Sequence, residues 1–254
     1  MNQIQVQAYL KRINYQGDIS TTLRTLRQLQ LSHLLAVPFE NLDIHSNKKI
    51  ELNTSRFFEK VVQNNRGGFC YELNGLFNEL LLSLGFETTI ISARVYSESK
   101  GHYNPEFDHL AIIVQIDDHD YLTDVGFGEF AFSPILLDLD NIHKDDRGSF
   151  KFTKEGDDHW VVNKEEALDW VSEYRFAIKE RQLSDFRERC FFQQTSPESH
   201  FTQNRICSLP IPNGRKTISG NKFTFKQGSE SKEIEINDDS EFKEILVKQF
   251  GMEL

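Results

Sequence analysis

Three residues have the types and positions for nucleophilic chemistry: Cys70, His109 and Asp124. Cys70 falls in RGGFCYELNGLF (66 to 77), at the point where a helical pattern begins. Unpaired N–H groups and the macrodipole at a helix N-terminus favour negative charge, and so favour a thiolate there. Gly67 and Gly68 let backbone come close to whatever the sulfur attacks. Alone, Cys70 reads more simply as a buried core residue. A nucleophile needs a base and a group that orients the base.

Of the eight histidines, His109 opens the strand-like HLAIIVQI and stands near a second polar residue that a sheet would not otherwise tolerate. That residue is Asp124, which interrupts YLTDVGFG, where an unpaired carboxylate is costly. The linking DDHD (117 to 120) is too short for anything but an antiparallel hairpin. With the turn centred on Asp117 and Asp118, Asp124 falls opposite Ala111, which shares a sheet face with His109. The two polar side chains are then diagonal neighbours, about 7 Å apart at the backbone. A one-residue slip would put them on opposite faces. In this layout His109 takes the thiol proton and Asp124 holds the imidazole. Singly, His109 also reads as a satisfied strand-end histidine and Asp124 as a turn-bonded aspartate, so the conjunction carries the weight. DDHD with His119 reads as a solvated turn, and no metal is expected. Cys190 and Cys207, among Phe191, Phe192, Ile206 and Leu209, read as core. Three cysteines without CxxC spacing fit neither a disulfide framework nor a zinc site.

The elements that must position these groups follow from the hydrophobic period. Up to about Gly85 it is helical: one helix is capped by Ser20 or Thr21 and stops at Pro38, a second starts at Asn53 or Thr54, and a third follows Cys70 and closes at Gly85. After Gly85 the period falls to two, in TTIISARVY, HLAIIVQI, YLTDVGF, SFKFT, HWVVN and SEYRFAIK, which predicts an antiparallel sheet or small barrel. LSDFRERCFFQQ (183 to 194) predicts a helix capped by Ser184. Beyond the turn signals TSPES and PIPNG, the strands KFTFKQ and KEIEIN lead to a last helix ending at Gly251. The fold class is therefore α+β in three parts: a helical bundle (1–85), a β-barrel (86–195) and a small α/β tail (196–254).

Composition bounds the function. At 254 residues with 38% hydrophobic content, a substantial core is assured. A net charge of -10 repels nucleic acid and anionic membrane, so neither is an expected partner. The N-terminal stretch lacks an apolar run of signal-peptide type, and the expected location is the cytoplasm.

VPFENLDIH (37 to 45), RGGFCYELNGLF, FDHLAIIV (107 to 114) and YLTDVGFGE (121 to 129), in this order and spacing, resemble the hallmark segments of the arylamine N-acetyltransferases. The resemblance implies a helical domain, a β-barrel and an α/β lid with a papain-like Cys-His-Asp arrangement. It implies Cys70 as acetyl-accepting nucleophile, His109 as base and Asp124 as orienting carboxylate. Arg66 and Glu40 would brace the loop before the cysteine, and Phe39 and Phe127 would line the acceptor pocket. The donor would be acetyl-CoA and the acceptor a small aromatic amine or hydrazine. The phosphates of coenzyme A need local positive charge, for which Lys100, Arg205, Arg215 and Lys216 are candidates, with Arg215 and Lys216 in PNGRK preferred. The same triad order also serves transglutaminase-like or papain-like amide hydrolases, and the family includes amide synthases; a catalytically silent binding domain is the alternative of another class.

Overall fold

A computed structural model of the chain describes every residue except Leu168. The first third holds helices α1 (Gln3–Arg12), α2 (Leu23–Ala36), α3 (Leu42–His45), α4 (Thr54–Phe58) and α5 (Cys70–Ser83), with a π-turn at Glu59–Gln63 extending α4. Their starts are fixed by side-chain caps: Asn2 accepts the Gln5 N–H, Thr22 the Thr25 N–H, and Asn53 the Ser55 and Arg56 N–H groups. The α2 cap is thus Thr22, not Ser20 or Thr21, because the Ser20 hydroxyl is spent on Asp18 at 2.7 Å. Gly85, at φ +92°, ends α5 as expected.

The first third is not purely helical. β1 (Phe39–Glu40) pairs with β11 (Ile206–Ile211) and joins a five-stranded antiparallel sheet in the order β1, β11, β12 (Gly214–Ser219), β13 (Lys222–Gln227), β14 (Glu230–Glu235). Two strands of this sheet were expected in the tail; β11 and β12 fall where PIPNG suggested only a turn. The last helix, α8 (Asp239–Ile245), continues as a π-turn and ends at Gly251 with φ +64°.

The second sheet runs β6 (Ile135–Leu136), β5 (His119–Thr123), β4 (His109–Ile116), β2 (Glu87–Ser97), β10 (Asp169–Ala177), β9 (His159–Glu166), β8 (Gly148–Glu155), β7 (His143–Asp145), with β3 (His102–Tyr103) on β2. Every pairing is antiparallel. Its ends curl toward each other: Asp145 of β7 accepts the Phe132 and Ser133 N–H groups just ahead of β6, so the barrel is nearly closed. In chain order α6 (Arg187–Thr195) and α7 (His200–Gln203) follow β10 and precede β11. Ser184 does not cap α6. Residues Leu183–Phe186 form a 3-10 turn opened by Gln182, and α6 starts at Arg187.

β4 fixes the register that matters. Leu110, Ile112, Val114 and Ile116 pack into the helical core with α5, while Ala111 and Ile113 belong to the barrel core. A strand buried on both faces reads as an unbroken apolar run. Each large aliphatic side chain so buried contributes roughly 1.5–3 kcal/mol. A one-residue slip would exchange the two faces and misfit both cores. No described helix is long and apolar enough to cross a membrane.

Candidate active site

Cys70 is the first residue of α5, and the loop that delivers it is held on both sides. The Glu40 N–H donates to the Gly68 carbonyl at 2.8 Å, and Phe39 and Gly68 form a parallel bridge. A Cβ at Gly67 would lie 2.1 Å from the Pro38 carbonyl oxygen, and one at Gly68 would lie 2.8 Å from Glu72 Cβ. The two glycines therefore serve close packing of the loop against β1 and Glu72, rather than clearing space for a substrate. The glycine that abuts the cysteine is Gly126, whose Cβ would stand 2.8 Å from Cys70 Cα.

Arg66 and Glu40 are joined by a buried ion pair beside this loop. Arg66 donates from Nε and Nη2 to Glu40 Oε1 at 3.1 and 2.7 Å, and from Nη2 to Asp43 at 3.1 Å. Lys60 and Glu72 complete the same buried cluster, with Lys60 Nζ 3.0 Å from Glu72.

The hairpin has the expected register. Ile116 pairs with His119 and Ile112 with Thr123, and the turn residues Asp117 and Asp118 both have positive φ, as a two-residue primed turn requires. β5 stops at Thr123 rather than running to Phe127. From Asp124 the peptide N–H groups leave the ladder for side chains: Val125 N–H goes to Asn74 Oδ1 at 2.8 Å and Gly126 N–H to Asp124 Oδ1 at 2.9 Å. His119 keeps an exposed place in the turn, its Nδ1 2.7 Å from the Asp117 carbonyl.

His109 Nε2 meets Asp124 Oδ2 at 2.6 Å in a buried pair. Asp124 also accepts from Asn74 Nδ2 at 2.8 Å and Tyr174 Oη at 3.0 Å. Four donors thus satisfy the oxygens of this buried carboxylate. Since Nε2 is committed to Asp124, Nδ1 is the imidazole nitrogen left for proton exchange. The Phe127 and Tyr174 rings pack on the His109 ring, with centroids at 5.1 and 5.3 Å.

Burial pushes the Cys70 thiol well above its ordinary pKa, and the Asp108 and Asp124 carboxylates add to the rise; the Leu110 N–H acts the other way. Burial thus works against the ionisation that a helix start favours. Cys190 and Cys207 are buried in the helical and C-terminal cores.

Cys70 and His109 open on one cleft of about 480 Å³, walled by Phe39, Phe127, Phe201 and Ile206. Arg215 stands at its rim, where its guanidinium is engaged with Ser208 at 2.7 Å and the Gly128 carbonyl at 2.7 Å. Lys216, one residue on, points to the other face of β12 and donates to the Gln249 carbonyl at 3.1 Å, away from the cleft. Arg205 is likewise turned to Asp239 and the Phe242 ring. Lys100 lies in the exposed turn between β2 and β3, near His200 of the cleft.

Several site residues escaped the sequence reading. Asn74 sits one turn after Cys70 and bonds Asp124, the Val125 N–H and, at 2.7 Å, the Leu110 carbonyl, tying α5 to both strands of the hairpin. A buried asparagine on the apolar face of an otherwise leucine-rich helix was its available signal. Tyr174 gave none, since β10 is far away in the chain. Asp108, paired with Arg189 and Gln193, and His200, whose ring lies 3.8 Å from that of Phe201, also line the cleft.

Comparison with known proteins agrees with this architecture. A family model described as N-acetyltransferase matches residues 22–254. An arylamine N-acetyltransferase of Escherichia coli (strain K12) is 32% identical over 247 residues, covering 96% of this chain and 87% of that protein. The solved arylamine N-acetyltransferase of Salmonella typhimurium superposes with a TM-score of 0.93 at 29% identity, covering 99% of this chain and 92% of the other. That of Mycobacterium marinum in complex with CoA superposes with a TM-score of 0.87 at 27% identity, covering 97% of this chain and 92% of the other. A family model that matches residues 22–254 and a relative 32% identical over 96% of the chain make this protein a member of the arylamine N-acetyltransferase family.

Proposed function

We propose that the protein transfers an acetyl group from acetyl-CoA to the nitrogen of an aromatic amine or hydrazine by a ping-pong route through acetyl-Cys70. The observation that carries the reading is the buried His109–Asp124 pair at 2.6 Å opening, with Cys70, onto a single apolar cleft. His109 Nδ1 takes the thiol proton as Cys70 attacks the thioester carbonyl. The C–S bond to coenzyme A breaks and the departing sulfur recovers that proton. One thioester replaces another, so this half-reaction is nearly balanced. The amine then attacks the acetyl-cysteine carbonyl, His109 receives the proton lost by nitrogen, and Cys70 leaves as the amide forms. Aromatic amines are weakly basic and arrive unprotonated at neutral pH.

Asp124 keeps Nε2 protonated and steadies the imidazolium that forms between the steps. Phe39 and Phe127 offer flat apolar walls to an aromatic ring, and Arg215 is the member of PNGRK that lines the cleft and so is the cation offered to the donor. In this reading residues 1–85 supply the nucleophile, 86–195 the base and its carboxylate, and 196–254 the lid. Mixing the protein with acetyl-CoA in the absence of amine should add one acetyl mass, located on the Cys70 peptide; an unmodified wild-type chain would sink the proposal. Turnover of peptide amides in place of the thioester would favour the hydrolase reading.

A further inference from the structure

Five ionisable side chains meet beneath the first turn of α5: Glu40 of β1, Asp43 of α3, Lys60 of the π-turn, Arg66 of the loop and Glu72 of α5 itself. Lys60 Nζ lies 3.0 Å from both Glu72 oxygens, 2.8 Å from Asp43 and 3.5 Å from Glu40. Three carboxylates face two cations, so the fully ionised cluster carries one uncompensated negative charge. Glu72 is the member fixed to the nucleophile's own helix. Its Oε2 accepts the Phe69 N–H at 3.1 Å, closing a capping turn around Cys70, and its Cβ is what excludes a side chain at Gly68. It touches neither cleft nor thiol.

We propose that Glu72 is a positioning residue for Cys70: it grips the Phe69 N–H on one side and Lys60 on the other, and it exchanges one proton with solvent, so the placement of the thiol follows the charge on Glu72. The inference rests on Cys70 being the nucleophile. An opening of about 470 Å³, lined by Lys60, Arg66 and Glu72, gives the proton its route. The groups facing Glu72 are Lys60, Glu40, Asp43, Arg66 and, from α6, Cys190. At the mouth of the opening, Lys48, Lys49 and Arg56 offset Glu51, Glu59 and Glu253, so the outer charges do not cancel the inner one.

Burial pushes the Glu72 carboxyl up to about 7; Lys60 opposes the rise and Glu40 adds to it. Cys190 is itself pushed up to about 12 by burial, so it stays neutral while Glu72 titrates. An ionised carboxylate bonds the Phe69 N–H roughly twice as strongly as a neutral acceptor does. As pH rises through about 7, then, the first turn of α5 tightens and Cys70 reactivity climbs by a step that is separate from the ionisation of its own thiol.

Alkylation of Cys70 by iodoacetamide tests this, read by peptide mass from about pH 5 to pH 9 with Cys190 and Cys207 as internal references. The wild type should show a lower step near neutrality. Glu72→Gln, a neutral residue of the same size, should lose that step and alkylate several-fold more slowly above it. Lys60→Gln removes the cation that holds the carboxylate ionised, and should move the step upward by about one pH unit. A Glu72→Gln profile that superimposes on the wild type overturns the proposal. If that variant fails to fold, an unmoved step in Lys60→Gln overturns it equally. Alkylation needs no acetyl donor, so a protein that fails to take acetyl from acetyl-CoA yet shows the step would reject the transferase reading and leave this one standing.

Discussion

Asp124 is the residue on which the site converges, because one carboxylate receives donors from four separate segments: His109, Asn74, Tyr174 and the Gly126 N–H. Replacing it with asparagine removes the charge that steadies an imidazolium and sets an amide NH2 among four donors. The negative charge of Asp124 also raises the Cys70 thiol, so Asp124→Asn makes the thiol intrinsically easier to ionise while depriving it of an oriented base. The second effect is the larger. Acetylation of Cys70 should fall on the order of 10⁴-fold in Asp124→Asn, by analogy with loss of the carboxylate in other nucleophile–His–Asp triads. Tyr174→Phe deletes one neutral donor and leaves the pair intact; it should cost only about 1 kcal/mol, roughly five-fold in rate. Single-turnover acetylation of both variants, followed by mass, separates the two roles. Equal losses would mean that Asp124 acts through packing rather than charge.

At the scale of elements, the glycines around Cys70 divide by what they touch. Gly67→Ala drives a methyl into the Pro38 carbonyl, and backbone cannot yield as a side-chain tip does. Overpacking of this kind costs about 1–3 kcal/mol, or roughly 5 °C of melting temperature in a chain of this size. Gly126→Ala presses on Cys70 Cα and Asn74 Nδ2, so it should depress acetylation more than melting temperature. Gly128→Ala, with open space around it, should change neither, and thermal melts paired with acetylation rates of the three variants check the ordering.

The hairpin between β4 and β5 was legible in advance because the short DDHD link, with its turn centred on Asp117 and Asp118, leaves one register. β11 was not, since Pro210 and Pro212 read as a loop. The structure accommodates Pro210 because β1 covers only Cys207 and Ser208 of β11, so the missing proline N–H faces no partner strand. β1 itself, two residues long, is too short to show a period. The cluster around Lys60 was equally hidden: in one dimension Lys60 and Glu72 look like ordinary helix-surface charges. Only the packing of β1 against the loop turns them inward.

For the molecule as a whole, acid stability depends on a group far from the chemistry. His33 lies at the centre of the helical core, where its Nδ1 meets the Tyr9 hydroxyl at 2.8 Å and its ring packs edge-on to Phe77. Burial, with a further contribution from Arg12, holds its pKa down to about 3 against an ordinary 6.5. The unfolded chain therefore takes up a proton near 6.5 that the folded chain refuses until about 3. Stability from this residue is complete above pH 6.5 and is lost as pH falls through that window. At pH 5 the loss amounts to about 2 kcal/mol. Glu72 works in the opposite sense: its raised pKa means that the folded chain keeps a proton that the unfolded chain has lost between 4.5 and about 7, so its contribution improves on acidification. The two must be separated by mutation. His33→Gln retains an acceptor for Tyr9 but does not titrate, so the variant should lose less melting temperature than the wild type between about pH 7.5 and pH 5, even if it starts lower. Glu72→Gln should lose more over the same interval. Parallel melting curves for wild type and both variants would overturn this assignment and place the acid-sensitive groups elsewhere in the chain.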